Sequence, residues 1–248
     1  MDFFSILQSE FLKTKRSIVR RVAIASPLCL AMLATIQGGY FSLNLFNWFY
    51  VVFLPATFAL ISAAAVNIDN GKHALRAIRS LPIEQNRIWL AKLIIVMVYA
   101  FLSCLLLSIA VILVPALLGI LGTSQLKQLS VVSVLSGIVV MFLSSAWQIP
   151  FSCILSKKLG LIFTVAINLF VSFSGVFLAL KSFWFFCPWA WVNRCMTVVI
   201  GVMPNGLPVE SNLNIGTIDV VLSLVLSLVL TAVLSFFTTW IFSNSEAR

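Results

Sequence analysis

Asp69-Asn70-Gly71-Lys72-His73-Ala74-Leu75-Arg76-Ala77-Ile78-Arg79-Ser80-Leu81-Pro82-Ile83 is a compact basic stretch set between two apolar runs long enough to cross a membrane. Wound as a helix, it carries Lys72, Arg76 and Arg79 on one face and Ala74, Leu75, Ile78 and Leu81 on the other. A short helix lying at a membrane surface with its cations in water has this pattern. Pro82 lacks an N–H and disfavours helix at Leu81, so the surface helix is expected to end there and a new one to begin near Ile83 and Glu84. That break is compatible both with an ordinary loop proline and with a rigid elbow that passes force into the next span. The stretch reads as a cytosolic handle by which a partner would move a membrane-embedded chain.

Outward from this segment, composition sets the class. In 248 residues, 61% are hydrophobic and only 9% charged, which no ordinary soluble domain can carry. The chain reads as an all-α, polytopic membrane protein forming a single transmembrane domain over residues 1–248. All but three of the 16 Lys and Arg lie in the N-terminal segment, the 69–92 region, the 156–159 turn and the C-terminal tail; Lys127, Lys181 and Arg194 are the exceptions. By the positive-inside rule both termini are expected in the cytosol. The net charge of +9 then follows from topology, and gives no reason to invoke nucleic acid. The first apolar run follows a charged amphipathic start and lacks a small-residue cleavage site, so no cleavable signal is expected.

Six spans are expected, at about 22–39, 48–66, 93–120, 129–155, 161–180 and 220–242, each near the ~20 apolar residues that a bilayer core requires. An even number agrees with both ends inside. The last external loop, 181–219, holds a further apolar stretch at 183–203, interrupted by Pro188, Asn193 and Arg194. A seventh crossing there would put the C-terminus outside and leave an arginine in mid-membrane, so a re-entrant or interfacial hairpin is expected instead.

Residues 1–21 repeat the surface-helix pattern. Phe3, Phe4, Leu7 and Phe11 recur at helical spacing, with Gln8, Ser9, Lys13, Lys15 and Arg16 on the remaining faces. This interfacial helix reads either as a membrane anchor orienting the first span or as one half of a docking surface. Two such basic elements in one chain favour docking.

Missing chemistry narrows the function. The sequence contains no G-x-x-x-x-G-K-[ST] run, so ATP cannot be bound here in the P-loop manner. The central parts of the expected spans contain no Asp, Glu, His, Lys or Arg. That argues against ion-coupled transport and against an intramembrane enzyme, and no catalytic residue or metal site is assigned. His73 reads as a solvated loop residue. Cys29, Cys104 and Cys153 read as small packing residues in separate spans. Cys187 and Cys195 are close enough to pair if the loop turns back between them, whereas on one continuous helix they stand ~12 Å apart, too far for a disulfide.

In the external loop, Trp184, Trp189 and Trp191 crowd together with Phe183, Phe185 and Phe186 beside Asn193 and Arg194. An interfacial aromatic belt accounts for this composition, and so does a lip contacting an amphiphilic substrate at the outer leaflet. Pro204-Asn205-Gly206-Leu207-Pro208 signals a turn with a structural role.

With these features in view, the chain resembles the six-span ABC-2 type permeases, and among them the small lantibiotic self-protection (immunity) permeases of the MutE/EpiE and MutG kind. The likeness begins at Ser9-Glu10-Phe11-Leu12-Lys13-Thr14-Lys15-Arg16-Ser17, which looks like that family's E-x-x-K-x-K-R opening. It continues at Gly71-Lys72-His73, at Arg79-Ser80-Leu81-Pro82-Ile83 and at Ala91-Lys92, within the cytosolic coupling segment placed at 69–87, and the aromatic loop fits the re-entrant helices of the superfamily.

The resemblance implies a permease subunit in the bacterial cytoplasmic membrane. Its partners would be a second six-span permease and two copies of an ABC ATPase, which would hold the ATP and Mg; the chain itself would bind no cofactor. Glu10, Lys13, Lys15, Arg16, Lys72, Arg76, Arg79 and Pro82 would couple it to the ATPase. Trp184, Trp189, Trp191, Asn193 and Arg194 would be candidate substrate contacts for a membrane-seeking lantibiotic expelled to the outside. Export of another antibiotic or lipid-like drug, and a non-transporting scaffold recruiting a cytosolic partner, stand as alternatives.

Overall fold

The computed structural model describes residues 2–69, 84–120, 129–209 and 215–244. The described residues are helical apart from short turns and one antiparallel bridge between Val202 and Pro208. In chain order the helices are α1 (Phe3–Lys15), α2 (Ile18–Ala34), α3 (Phe41–Asp69), α4 (Gln85–Ile120), α5 (Val131–Ser145), α6 (Gln148–Leu159), α7 (Leu161–Leu178), α8 (Pro188–Val199) and α9 (Thr217–Asn244).

Four of these, α3, α4, α7 and α9, are long and apolar enough to cross a membrane, and the number rises to six if the bent pairs α1–α2 and α5–α6 each make one crossing. The run expected to cross unbroken at 129–155 is therefore two helices meeting at 42°. The run expected at 22–39 begins earlier, at Ile18, and gives way to a 3₁₀ turn at Thr35–Tyr40.

Local sequence accounts for the joints. α1 and α2 meet at 65°, where the Ser17 hydroxyl accepts from Val19 N–H at 3.2 Å and donates to the Thr14 carbonyl at 2.8 Å, ending one helix and capping the next. Ser130 caps α5 in the same way, accepting from Ser133 N–H at 3.0 Å. A single residue, Gly160 at φ 83°, separates α6 from α7, a left-handed conformation that only glycine adopts without strain. Pro188 stands at the first position of α8, where a missing N–H costs nothing.

Breaks inside the apolar elements free carbonyls that lipid cannot satisfy, and neighbouring helices supply the donors. α3 opens into a π-helical turn at Phe49–Phe53, just before Pro55. At the joint between α5 and α6, the Ser227 hydroxyl of α9 donates to the Leu143 carbonyl at 2.6 Å. Small residues, most of them polar, also fill the interior faces: the buried residues of α7 are Thr164, Asn168, Ser172 and Gly175, and Asn168 donates to Ser152 of α6 at 3.2 Å. Hydroxyl-rich seams of this kind join helices where lipid gives no hydrophobic drive for association.

α3 lies at the centre, packed on α2, α6 and α7. Its most apolar window is 78% buried, against 11% for α9, which lies on the periphery and turns Ile218, Phe236 and Trp240 outward. α1 lies across the start of α4, with Ile6 packed on Ile88 and Ala91. At the same end of the bundle the Trp89 ring stacks on Phe242 at 4.5 Å between centroids, and Lys157 lies over Phe242.

Candidate functional site

Two buried charged assemblies mark the two ends of the bundle. The larger is built by α1, α3 and α4. Helical spacing puts Ile6, Glu10 and Thr14 on the face of α1 that meets α4, so a carboxylate is carried into the packed interface by the same periodicity that buries Ile6. Asp69 is the last residue of α3, and Lys92 lies about two turns into α4. Lys13 reaches the assembly from α1.

The four side chains close into a ring in which each ammonium bridges one oxygen of each carboxylate. Lys92 Nζ lies 2.9 Å from Glu10 Oε2 and 2.5 Å from Asp69 Oδ2, and Lys13 Nζ lies 2.5 Å from Glu10 Oε1 and 3.6 Å from Asp69 Oδ1. Lys92 also donates to the Ala65 carbonyl at 3.4 Å. The side chains of Glu10 and Lys92 are each 2% exposed and Asp69 7%, while Lys13 keeps 34% and forms the solvent edge. Two positive and two negative charges leave the ring neutral, the condition under which charge is tolerated in a packed interior. Thr14 backs it, lying 3.5 Å from the Tyr99 hydroxyl.

Glu10, expected to couple to an ATPase, is thus turned into the bundle and out of reach of a partner in this conformation. Lys13 is half engaged in the ring. Lys15 and Arg16 are exposed at the α1–α2 bend, together with Arg20 and Arg21. Lys72, Arg76, Arg79 and Pro82 lie outside the described residues. Asp69 and Lys92 were not among the expected site residues, although a lone carboxylate closing one apolar helix and a lone ammonium opening the next are legible as a pair of opposite sign.

The second assembly holds the aromatic segment in place. α8, with 12 residues, is about 18 Å long, too short to cross a bilayer core, and it packs among α5, α7 and α9. Arg194 lies within it, its Nε 3.1 Å from Asp219 Oδ1 at the start of α9, its Nη1 donating to the Ala179 carbonyl at 2.8 Å, and its guanidinium 4.7 Å from the centre of the Trp184 ring. The arginine that counted against a crossing is therefore paired. Trp147 and Trp189 meet edge to face at 4.6 Å, Trp191 Nε1 donates to the Phe185 carbonyl, and Asn193 donates to the Trp189 carbonyl.

Trp184, Trp191, Asn193 and Arg194 are buried and Trp189 is half buried, so these candidate substrate contacts face the protein; Phe183, Phe185 and Phe186 are the exposed aromatics of the segment. Cys187 and Cys195 are both free thiols, one capping and one inside the same helix. Beyond α8, the expected turn is tied to α3: the Asn47 amide donates to the carbonyls of Met203 and Pro204, each at 3.2 Å, and the Tyr50 hydroxyl donates to Met203 at 3.2 Å. Gly206, at φ 86°, brings the turn against Asn47.

Among the described residues no group of three His, Cys, Asp or Glu side chains is placed to hold a metal. What the arrangement offers is mechanical: one neutral charged ring joining a surface helix to two long helices, and a braced hairpin at the other end. Comparison with curated proteins and with solved structures gives no match. The profile of the family described as ABC-2 family transporter protein matches residues 6–175, from the inward face of α1 to Gly175 of α7, and takes in the whole charged ring. With well over half of its length matched, the chain belongs to the ABC-2 family of transporter proteins, whose members are the membrane components of ABC transport systems and work with an ABC ATPase.

Proposed function

We propose that this chain is the permease subunit of an exporter that expels a lantibiotic from the cytoplasmic membrane to the outside, and so confers immunity on a bacterial cell. In this reading it has six spans with both termini in the cytosol, a re-entrant hairpin at 181–219, a second six-span permease as its neighbour and two ATPase copies beneath it. The ATPases press on the exposed basic end of α1, at Lys15 and Arg16, and on the coupling segment around Lys72, Arg76 and Arg79. The observation that carries the transport reading is the family match, which includes both basic elements. The lantibiotic assignment is motivated by the two basic surface elements together with the aromatic external segment, whose Phe183, Phe185 and Phe186 are exposed.

Tagging the chain, extracting it in mild detergent and identifying what co-purifies tests the assembly. A P-loop ATPase with a second six-span protein supports it, and a complex without any nucleotide-binding protein transfers the reading to a scaffold. Arg76→Glu with Arg79→Glu is expected to abolish ATPase association while leaving membrane insertion intact. Cargo is tested by challenging cells that express the assembled complex with a lantibiotic and, separately, with a lipid-like antibiotic. Protection against the second alone removes the peptide assignment.

A further inference from the structure

The ring of Glu10, Lys13, Asp69 and Lys92 is a poor device for stability and a good one for setting position. Apolar residues of similar size would hold α1 on α4 at least as well, because charges taken out of water, as Glu10, Asp69 and Lys92 are, recover little net energy when they pair. Removing any single member leaves a buried charge uncompensated, and that state is strongly penalised. Half-docked arrangements of α1 therefore stand high in energy. Two arrangements remain low: all four charges paired in the interface, or all four in water.

The surroundings fit such a two-state element. Lys13, at 34% exposure, gives water a route to the ring, and the Arg16–Ser17 bend, where α1 meets α2 at 65°, is the natural pivot. The apolar part of the α1–α4 contact falls in two patches, Ile6 on Ile88 and Ala91 with Phe3 and Leu7 beside them, and the Phe11 ring stacked on Tyr99 at 6.4 Å between centroids, and the charged ring joins α1 to α4 alongside them. Asp69 and Lys92 flank the basic segment at 70–83 in sequence, which places the ring where the two cytosolic elements join the bundle.

We infer that Asp69 and Lys92 are positioning residues of the transport cycle: through the ring they fix α1 on the ends of α3 and α4, and α1 docks and releases as a unit. This rests on the transporter reading for its place in a cycle, though the docking itself does not depend on the cargo or on the partner.

Ile6→Cys, in a background where the five native cysteines are replaced by alanine or serine, reports docking of the full-length chain in mild detergent through its rate of labelling by a water-soluble maleimide. With the ring intact labelling is slow. Lys92→Met, which keeps the bulk of the side chain, is expected to raise the rate roughly tenfold or more, because two carboxylates then share one ammonium. Adding Asp69→Asn, which restores charge balance around Glu10 and Lys13, is expected to return most of the protection. A packing defect cannot be repaired by an asparagine at residue 69, so unchanged labelling in the Lys92→Met chain, or no recovery in the double variant, overturns the assignment.

The same label is then read in the co-purified complex with and without Mg·ATP. Faster labelling during hydrolysis is expected, and equal rates would remove the ring from the cycle. If no ATPase co-purifies, the partner assignment fails, while the detergent comparison still decides the ring.

Discussion

The hydroxyl of Ser172, on α7, donates to the backbone carbonyl of Val51, on α3, at 2.7 Å. Val51 lies four residues before Pro55, which has no N–H to return to it, so a neighbouring helix supplies the hydrogen bond that the proline removes. Ser172→Ala leaves that carbonyl facing an apolar interior. The expected cost is about 1–3 kcal/mol, seen as a lower thermal midpoint in detergent. Ser172→Thr keeps the donor and should retain most of the stability; equal losses in both variants would show that packing, not the hydroxyl, matters there.

Gly175 sets how closely α7 and α8 approach. A Cβ at this position would come 2.7 Å from the Trp189 carbonyl carbon and oxygen, both backbone atoms that cannot step aside. Gly175→Ala is expected to push the helices apart at about 1–3 kcal/mol and to disturb the Trp147–Trp189 contact, visible as a change in tryptophan fluorescence. Gly119→Ala, where nothing lies within 4 Å, is the matched substitution, expected within about 0.5 kcal/mol of the unaltered chain.

Breaking the pair at the far end should be worse than removing it. Arg194→Met leaves Asp219 without its partner and strips a cation from the Trp184 ring, with an expected loss of roughly 3 kcal/mol. Joining it to Asp219→Asn should recover a large part of that loss. Thermal unfolding of the two single variants and the double gives the coupling, and strictly additive losses would argue against a working ion pair.

The turn after α8 is expected to loosen when its tie to α3 is cut. Asn47→Ala removes both amide donations to Met203 and Pro204, leaving only the Tyr50 hydroxyl. Limited proteolysis between residues 203 and 209 should speed up several-fold relative to the unaltered chain, with a smaller effect for Tyr50→Phe, which loses one bond. No difference in cleavage between Asn47→Ala and the unaltered chain would show that the bridge between Val202 and Pro208 suffices alone.

Much of the fold was legible because lipid demands long apolar helices and the sequence supplies them with few ambiguities: 48–66, 93–120, 161–180 and 220–242 each lie largely within one of the four long helices. The joint at Ala146 and Trp147 was not, since both residues are apolar and Pro150, in the first turn of the next stretch, is as compatible with a kink as with a new helix. The charged ring was hidden for a different reason. Helical periodicity assigns Glu10 to a face of α1 but is silent on what that face meets, and its partner Lys92 stands 82 positions away. Arg194 was read as a candidate substrate contact for the same reason, because Asp219, which neutralises it, stands at the far end of the loop. The basic surface at Lys15 and Arg16 was legible, since exposed cations need no partner to be recognised.

The single-residue link at Gly160 bears on how the chain is made. α6 carries Gln148, Ser152 and Ser156 on its buried face, and α7 carries Thr164, Asn168 and Ser172. Alone, either helix would present these groups to hydrocarbon as it left the ribosome's exit route into the bilayer. Joined by one residue at positive φ, with Asn168 donating to Ser152 across the pair, they can enter as a hairpin in which part of that polar edge is covered, while Ser172 finds its acceptor on α3. A tight link at Gly160 thus keeps two half-polar helices together, so that they meet lipid as a pair rather than singly.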